Sequence, residues 1–262
     1  MSDSVRCEIF SECETASGMA NMAIDEALLE RAIEEGLGHF RLYRWSSPTI
    51  SLGYFQDYEP EAIPEEMQSL DVVRRLSGGG AILHHHEITY SCSIPAGSRW
   101  KDDPAQLYQD IHRLIQAALA HQSFQVEFRG TPKSFPQGEP FLCYSRGDER
   151  DLVCGAHKIV GSAQRRRKGA ILQHGSILWT QSEYAPQFPG ITNLTEKTAS
   201  LSQPLLCEEF VSGVRRLWNN PRNSGRLPEE ILERSRLLIE EKYRYPDKRF
   251  GRSRKSDQTL QK

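Results

Sequence analysis

Residues 72–83 read Val72-Val73-Arg74-Arg75-Leu76-Ser77-Gly78-Gly79-Gly80-Ala81-Ile82-Leu83, two aliphatic runs separated by a serine and three consecutive glycines. Such runs, bounded by glycine, are typical of strands that end at a turn. The strand pattern resumes at Ile88-Thr89-Tyr90-Ser91-Cys92-Ser93-Ile94. We therefore expect a sheet that is interrupted by a glycine turn.

Further strand patterns lie on both sides of this stretch. Residues 39–45 alternate polar and apolar side chains, and residues 48–53 are β-branched and closed by glycine, which predicts two adjacent strands. A short strand is expected at residues 7–10. Downstream, strands are predicted at residues 152–153 and 158–160, and another runs from residues 170–172 to 176–179.

Helical patterns are interspersed with these strands. Ser17 is a plausible N-cap for a helix that ends near Gly36. Residues 107–119 carry apolar side chains along one helical face, which predicts a helix that packs on the sheet. Two more helices are predicted at residues 205–218 and 228–242. This mixed order favours an α+β fold over a doubly wound one.

Length and composition describe an ordinary globular chain. Its 262 residues are 38% hydrophobic and 26% charged, and a single core stops growing at roughly 250–300 residues. We expect one domain over residues 1–245 and a disordered basic tail over residues 246–262. The net charge of −2 gives no overall attraction to nucleic acid. No apolar run approaches the roughly 20 residues of a membrane helix, so neither nucleic acid nor a membrane is an expected partner.

The cysteines and the N-terminus both bear on the cellular compartment. Six cysteines are scattered without CxxC pairs, which argues against a structural zinc site and a redox dithiol. The start Met1-Ser2-Asp3-Ser4-Val5-Arg6 lacks the pattern of a signal peptide. We therefore expect a protein of the reducing cytoplasm.

The arginines and glycines of residues 74–80 have two readings. Glycine lets backbone N–H groups approach a ligand closely, and arginine offers a forked donor to phosphate or carboxylate. The run can therefore cradle an anion or an acyl carbonyl. Alternatively, the glycines form a flexible hairpin and the arginines are solvated. The run is not a P-loop, because GxxxxGK[ST] occurs nowhere in the chain.

The segment His84-His85-His86-Glu87 resembles a metal cluster at first sight. Strand alternation places His84 and His86 on one face and His85 on the other, so at most two of the three can share an ion. The spacing identifies no third ligand. We therefore expect no metal, and a single histidine that faces the glycine cradle.

Cations are concentrated in residues 157–168. Lys158 stands in the otherwise small and apolar run His157-Lys158-Ile159-Val160-Gly161-Ser162-Ala163-Gln164, where it either extends to solvent or points into a pocket. The next four residues, 165–168, are Arg-Arg-Arg-Lys. They form either a solvated turn or a docking patch for an acidic protein.

Several ordered motifs resemble those of the lipoate-protein ligase and octanoyltransferase family, which includes the more distant biotin ligases. The resemblance covers about residues 15–245. Its motifs are Asn21-Met22-Ala23-Ile24-Asp25-Glu26, Leu42-Tyr43-Arg44-Trp45, the run 74–81 with the following His84, Lys158-Ile159-Val160-Gly161-Ser162-Ala163-Gln164 and Gln173-His174-Gly175-Ser176.

The resemblance implies a mixed, largely antiparallel sheet flanked by helices. It also implies that the glycine loop and Lys158 surround the carbonyl of a fatty-acyl or lipoyl group, whose chain lies in an apolar tunnel. The catalytic residues would be Cys143 and Lys158, with no cofactor. The substrate-binding residues would be Arg75, Ser77, Gly78, Gly79, Gly80, His84, Gly161, Ser162, His174 and Gly175.

Within the family, a cysteine distinguishes two chemistries. Ligases activate free lipoate with ATP, whereas cysteine-dependent transferases take an acyl group from a thioester. Cys143 lies in the loop before the lysine strand, where these transferases carry their nucleophile, and Tyr144 follows it. A chance loop thiol is the alternative, and Cys154 is the rival nucleophile. The residues that follow, 145–148, depart from the small, proline-containing stretch of the transferases.

The resemblance thus favours an octanoyltransferase of lipoate biosynthesis. Cys143 would take an octanoyl group from acyl carrier protein and pass it to a lysine of a lipoyl-domain protein, such as the glycine cleavage H protein or a dehydrogenase E2. The alternatives are an ATP-dependent lipoate ligase, an octanoyl transfer between lipoyl-domain proteins, and a non-catalytic acyl- or biotin-binding module.

Overall fold

A computed structural model describes residues 6–131, 141–142, 147–196, 200–219 and 221–247. In the described part of the chain, the elements in order are β1 (Arg6–Ala16), α1 (Gly18–Glu35), β2 (Leu37–Trp45), β3 (Thr49–Leu52), β4 (Asp71–Arg74), β5 (Ile82–His84), β6 (Glu87–Ile94), α2 (Pro104–His121), β7 (Glu127–Phe128), β8 (Leu152–Cys154), β9 (His157–Arg167), β10 (Ala170–Leu178), α3 (Gln203–Leu217), β11 (Arg222–Asn223) and α4 (Glu229–Leu238). None of these helices is long and apolar enough to cross a membrane.

Two sheets organise the molecule. The large one has the order β11-β1-β2-β6-β10-β9-β8-β7. Strand β1 runs parallel to both of its neighbours, and the other pairs are antiparallel. A small sheet has the order β4-β3-β5, in which β3 is parallel to β4 and antiparallel to β5. The predicted α+β fold with a mixed, largely antiparallel sheet flanked by helices is confirmed.

The helices begin and end where local signals place them. The hydroxyl of Ser17 accepts a hydrogen bond from the backbone N–H of Ala20, and Gly36 ends α1 with a φ of 64°. Such left-handed backbone favours glycine. The predicted helices at residues 107–119, 205–218 and 228–242 correspond to α2, α3 and α4.

Strand alternation divides the apolar side chains between two layers. Leu42 packs in the main core with side chains of α2 and α3, while its neighbour Tyr43 packs with α1 and α4. Successive residues of a strand point to opposite faces, so the large sheet is covered on both sides. A third apolar cluster lies under the small sheet and contains Ile50 and Leu83.

Three strand predictions were wrong in their pairing or extent. Strands β2 and β3 are not adjacent, because β3 joins the small sheet. The glycine run is not a hairpin, because β4 and β5 lie on opposite sides of β3 and the run crosses between them. The cations of residues 165–167 form no turn, because β9 continues to Arg167, and the turn consists of Lys168 and Gly169.

Candidate active site

A cavity of about 250 Å³ lies where the glycine loop and the small sheet meet strands β9 and β10 of the large sheet. Nine of the predicted site residues line it, namely Arg75, Gly78, Gly79, His84, Lys158, Gly161, Ser162, His174 and Gly175. Gly80 lines a neighbouring cavity with Phe55 and Phe141. Ser77 is fully buried. Cys143 lies outside the described residues.

Lys158 carries an ion pair at this cavity. Its ammonium group lies 2.9 Å from the carboxylate of Asp151, and both side chains are largely buried, with 12% and 1% of their surface exposed. The lysine side chain therefore points into a pocket and does not extend to solvent. A buried carboxylate without a partner is costly, so the pair fixes where the ammonium lies.

Gly161 leaves room for that ammonium. A Cβ atom at residue 161 would lie 2.3 Å from Cε and 2.6 Å from Nζ of Lys158. Non-bonded carbon atoms do not approach so closely, because their optimal separation is about 3.5–4.0 Å. The lysine side chain therefore folds back over the glycine three residues later in the same strand.

Asp151 connects the lysine to the loop that precedes it. One carboxylate oxygen, Oδ2, accepts a hydrogen bond of 2.8 Å from the backbone N–H of Asp148 as well as the contact from Lys158. The other, Oδ1, accepts one of 3.1 Å from the hydroxyl of Tyr108. The phenol oxygen in turn accepts a hydrogen bond from the backbone N–H of Ser162.

The arginines of the glycine run stabilise its backbone. Arg75 donates hydrogen bonds of 2.7 and 2.8 Å to the carbonyls of Gly78 and Gly80. Arg74 donates to the carbonyls of Gly53 and Gln56. Both arginine residues are buried, so the interpretation as solvated arginines was wrong. Their hydrogen bonds hold the backbone of the loop in place. Gly79 has a φ of 96°, a backbone conformation in which a side chain would be strained.

Three hydrogen-bonded side chains connect the glycine loop to α1. The hydroxyl of Ser77 donates to Nε2 of His174, and Nδ1 of His174 donates to Asp25 at 3.3 Å. Asp25 also binds Arg41 at 2.7 Å and Ser91 at 2.6 Å. Burial alone would raise the pKa of Asp25, but Arg41, His174 and Ser91 outweigh it and lower the pKa to about 2.

A second series of three hydrogen-bonded side chains lies at the small sheet. Nε2 of His84 accepts from the hydroxyl of Ser51 at 2.7 Å, and Nδ1 donates to Glu87 at 2.7 Å. Burial lowers the pKa of His84. Burial alone would raise the pKa of Glu87, but His84 and the hydroxyls of Thr89 and Ser176 outweigh it and lower that pKa. The imidazole is therefore neutral, and its tautomer is fixed by its two partners.

A third network fixes Ser162. Its hydroxyl accepts from Tyr90 at 2.6 Å and donates to Nε2 of His112 at 2.7 Å, and Nδ1 of His112 donates to the carbonyl of Arg150. Burial lowers the pKa of His112 to about 3, and the charge of Lys158 acts in the same direction. This neutral histidine can therefore accept the hydrogen bond of the serine.

Cys154, His85 and His86 do not line the cavity. Cys154 packs against the main core and is not among the residues that line the cavity. The histidine run does not follow strand alternation, because His85 and His86 lie in the turn after β5. Their rings stack on each other, 3.5 Å apart, while the ring of His84 stacks on Trp45. The expectation of one histidine at the glycine cradle agrees with this geometry, since His84 alone of the three lines the cavity.

Three buried acids were not predicted as site residues from the sequence. Asp25 and Glu87 each orient a cavity histidine, and Asp151 holds the lysine. Each has a weak signal in the sequence. Asp25 interrupts the apolar side of a helix, Glu87 opens a strand, and Asp151 directly precedes one. A charge in such a position needs a buried partner.

Comparison with known families and proteins gives a consistent result. The family model described as lipoyl protein ligase A/B catalytic domain matches residues 17–212. A Moorella thermoacetica protein named octanoyltransferase LipM is 39% identical over 170 residues, which make up 61% of this chain and 60% of that protein. A Symbiobacterium thermophilum protein of the same name is 30% identical over 260 residues, or 86% of this chain and 92% of that protein. The chain thus spans about three fifths of the Moorella relative's length and nearly all of the Symbiobacterium one's.

Solved structures with the same fold include a Thermoplasma acidophilum protein described as a putative lipoate protein ligase. It superposes with a TM-score of 0.70 at 19% identity and covers 91% of this chain and 96% of its own. A lipoate-protein ligase A bound with ATP has a TM-score of 0.69 at 17% identity, with coverage of 92% and 97%. At such identities the likeness concerns the fold alone.

Proposed function

The chain belongs to the lipoyl protein ligase A/B catalytic-domain family, and we propose that it is an octanoyltransferase of lipoate biosynthesis. It moves an octanoyl group from a thioester donor to a lysine of a lipoyl-domain protein. Its similarity to octanoyltransferases over nearly the whole of one relative carries this proposal. The donor is acyl carrier protein, and the acceptor is of the glycine cleavage H protein or dehydrogenase E2 type.

The nucleophile is Cys143. It is bonded directly to Leu142, and Leu142 pairs with Ala81, the residue that ends the glycine run. On the other side, the backbone N–H of Asp148 is held by the carboxylate that binds Lys158. The described residues on the two sides of residues 143–146 thus lie beside the glycine run and beside the carboxylate that binds Lys158.

The first step forms an acyl-enzyme. The thiolate of Cys143 attacks the carbonyl of the donor thioester, and the tetrahedral oxyanion is stabilised by the ammonium of Lys158 and by backbone N–H groups of the glycine loop. The donor sulfur leaves as a thiolate and takes a proton. Exchange of one thioester for another is nearly neutral in free energy, so the step needs no ATP.

The second step transfers the octanoyl group to an amine. The deprotonated lysine of the acceptor attacks the Cys143 thioester, an amide bond forms, and the cysteine leaves as a thiolate. The extra proton of the nitrogen passes to solvent or to that thiolate. The same oxyanion site serves both steps.

Intact-mass analysis tests the proposal. The protein is mixed with octanoyl-acyl carrier protein without ATP, and an octanoyl adduct that hydroxylamine removes is expected. Cys143→Ala should abolish the adduct and Cys154→Ala should retain it. Adding a lipoyl-domain protein should then discharge the wild-type adduct.

Other outcomes would assign a different reaction. An adduct that persists in Cys143→Ala but not in Cys154→Ala moves the nucleophile. Octanoylation of the acceptor only with free octanoate and ATP shows a ligase. Loading only from an octanoylated lipoyl-domain protein shows a transfer between such proteins, and acyl binding without turnover shows a binding module.

The cellular compartment and the domain organisation belong to the same proposal. A free nucleophilic thiol needs a reducing compartment, so we place the enzyme in the cytoplasm. Residues 1–245 make up one catalytic domain in this proposal, and residues 248–262 of the predicted tail lie outside the described residues.

A further inference from the structure

We propose that His85, His86 and Glu183 bind one divalent transition-metal ion of the zinc class, outside the catalytic cavity. This inference does not rest on the proposed function. In the part of the chain that the structure describes, these three residues are the group of histidine, cysteine and acidic side chains whose ligand atoms all lie within 4.8 Å of one another.

The distances suit a single ion. Nδ1 of His85 lies 3.5 Å from Oε2 of Glu183, and Nε2 of His86 lies 3.8 Å from the same oxygen. Two ligand atoms that are each about 2.0–2.1 Å from a tetrahedral zinc lie about 3.4 Å apart. The two histidine–glutamate separations are therefore within a few tenths of an ångström of that value, and the two imidazole ligand atoms lie within 4.8 Å of each other.

The backbone keeps the two loops together without an ion. His85 and His86 lie in the turn between β5 and β6, and Glu183 lies in the segment after β10. The carbonyl of His86 accepts hydrogen bonds of 3.1 Å from the backbone N–H groups of both Trp179 and Thr180. The ligand atoms are thus brought together by the fold, which lowers the ordering cost of binding.

The chemistry of the donors selects the class of metal. Two imidazoles and one carboxylate favour zinc, nickel, cobalt or copper over magnesium or calcium, which prefer oxygen ligands. The side chains of His86 and Glu183 are 46% and 66% exposed, so solvent can supply the remaining ligands.

The surface pair of His121 and Glu209 provides a matched control. Nδ1 of His121 lies 3.2 Å from Oε2 of Glu209, and the imidazole is 61% exposed. No third ligand completes this pair among the described residues. The control therefore has a similar His–Glu contact but lacks the second imidazole.

The test is a zinc titration of the untagged, EDTA-treated full chain by calorimetry, followed by imidazole NMR spectra. One equivalent of Zn²⁺ should bind, and the His85 and His86 resonances should shift while those of His121 do not. Glu183→Gln and His86→Ala should each weaken binding by more than the roughly 10–100-fold that loss of an outer-shell partner costs. His121→Ala should bind as the wild type does.

Two results would overturn the proposal. One is the absence of saturable binding by the wild type. The other is equal binding by the wild type, Glu183→Gln and His86→Ala. Octanoyl transfer is measured separately, so its failure would leave the metal result intact, and the reverse also holds.

Discussion

The ammonium group of Lys158 and the carboxylate of Asp151 form an ion pair of 2.9 Å at the wall of the cavity. The same carboxylate oxygen accepts the backbone N–H of Asp148, five residues beyond Cys143. One acid thus holds both the proposed oxyanion-stabilising group and the end of the segment that carries the proposed nucleophile.

Lys158→Ala should lower acyl transfer by roughly 10²–10³-fold, the usual loss when an oxyanion-stabilising group is removed. Asp151→Asn should also lower transfer, because the ammonium loses its anchor. It should destabilise the fold as well, since removing one partner of a buried pair costs about 3–5 kcal/mol. Single-turnover acylation and urea unfolding separate the two effects. Lys101→Ala, at an exposed position, is the control. Normal acylation by folded Lys158→Ala would contradict the role of the lysine.

Gly161→Ala should strongly lower the activity of the enzyme, although it adds only one methyl group. The new Cβ would lie 2.3 Å from Cε of Lys158, so the ammonium must leave its place beside Asp151. A loss of acyl transfer with little loss of donor binding is the expected signature. Gly97→Ala is the matched control, because a Cβ at residue 97 meets no atom within 4 Å. Equal activity of the two variants would show that the position of the lysine does not matter.

The sequence predicted most of the features that depend on interactions between residues close together in the chain. Ser17 and Gly36 bound α1 as expected, because capping and left-handed backbone depend on near neighbours. The separation of β2 and β3 into two sheets was missed, since strand pairing depends on residues far apart in the chain. Strands β7 and β11, with two residues each, are too short to show a pattern.

The same distinction holds for the candidate site. The motifs located the residues that line the cavity, because they are contiguous in sequence. The acids behind them were missed, since Asp25 and its partner His174 are 149 residues apart and only the folded chain brings them together. Likewise, alternation failed for His85 and His86, because a turn does not follow the period of a strand.

Arg166 and Lys168 are expected to act in docking of the protein substrates. Arg166, Arg167 and Lys168 are all exposed, but Arg167 pairs with Glu26. Arg165 lies 4.5 Å from the centre of the Tyr54 ring. The Arg166→Glu/Lys168→Glu variant should raise the KM for acidic carrier or lipoyl-domain proteins, most strongly at low salt.

Transfer from a small octanoyl thioester should barely change in that variant. Arg226→Glu, beside the opposite edge of the large sheet, is the control. If neither salt nor charge reversal affects the reactions with protein substrates, these two cations are only solvated.

Acid should destabilise the fold well above the pKa of its carboxylates. The pKa of His112 is lowered to about 3 by burial and that of His39 to about 3 by burial and the charge of Arg31. Both histidines are therefore neutral in the folded protein but take up a proton near pH 6.5 when unfolded. As the pH falls from 6.5 towards 3, the unfolded state binds up to two more protons than the folded state at these two residues, and His84, whose pKa burial also lowers, acts in the same direction. Each proton lowers the free energy of unfolding by about 1.4 kcal/mol per pH unit.

Asp25 contributes to acid sensitivity only at lower pH. Its pKa of about 2 in the folded state is below the ordinary value of 3.8, so its stabilisation is present above about pH 4 and is lost as the pH falls towards 2. The two pH windows can therefore be separated. Urea unfolding at several pH values between 7.5 and 4.5 should show the slope that the histidines produce, and His112→Asn should reduce this slope by up to about 1.4 kcal/mol per pH unit. An unchanged slope in the variant would mean that His112 does not stay neutral in the folded protein.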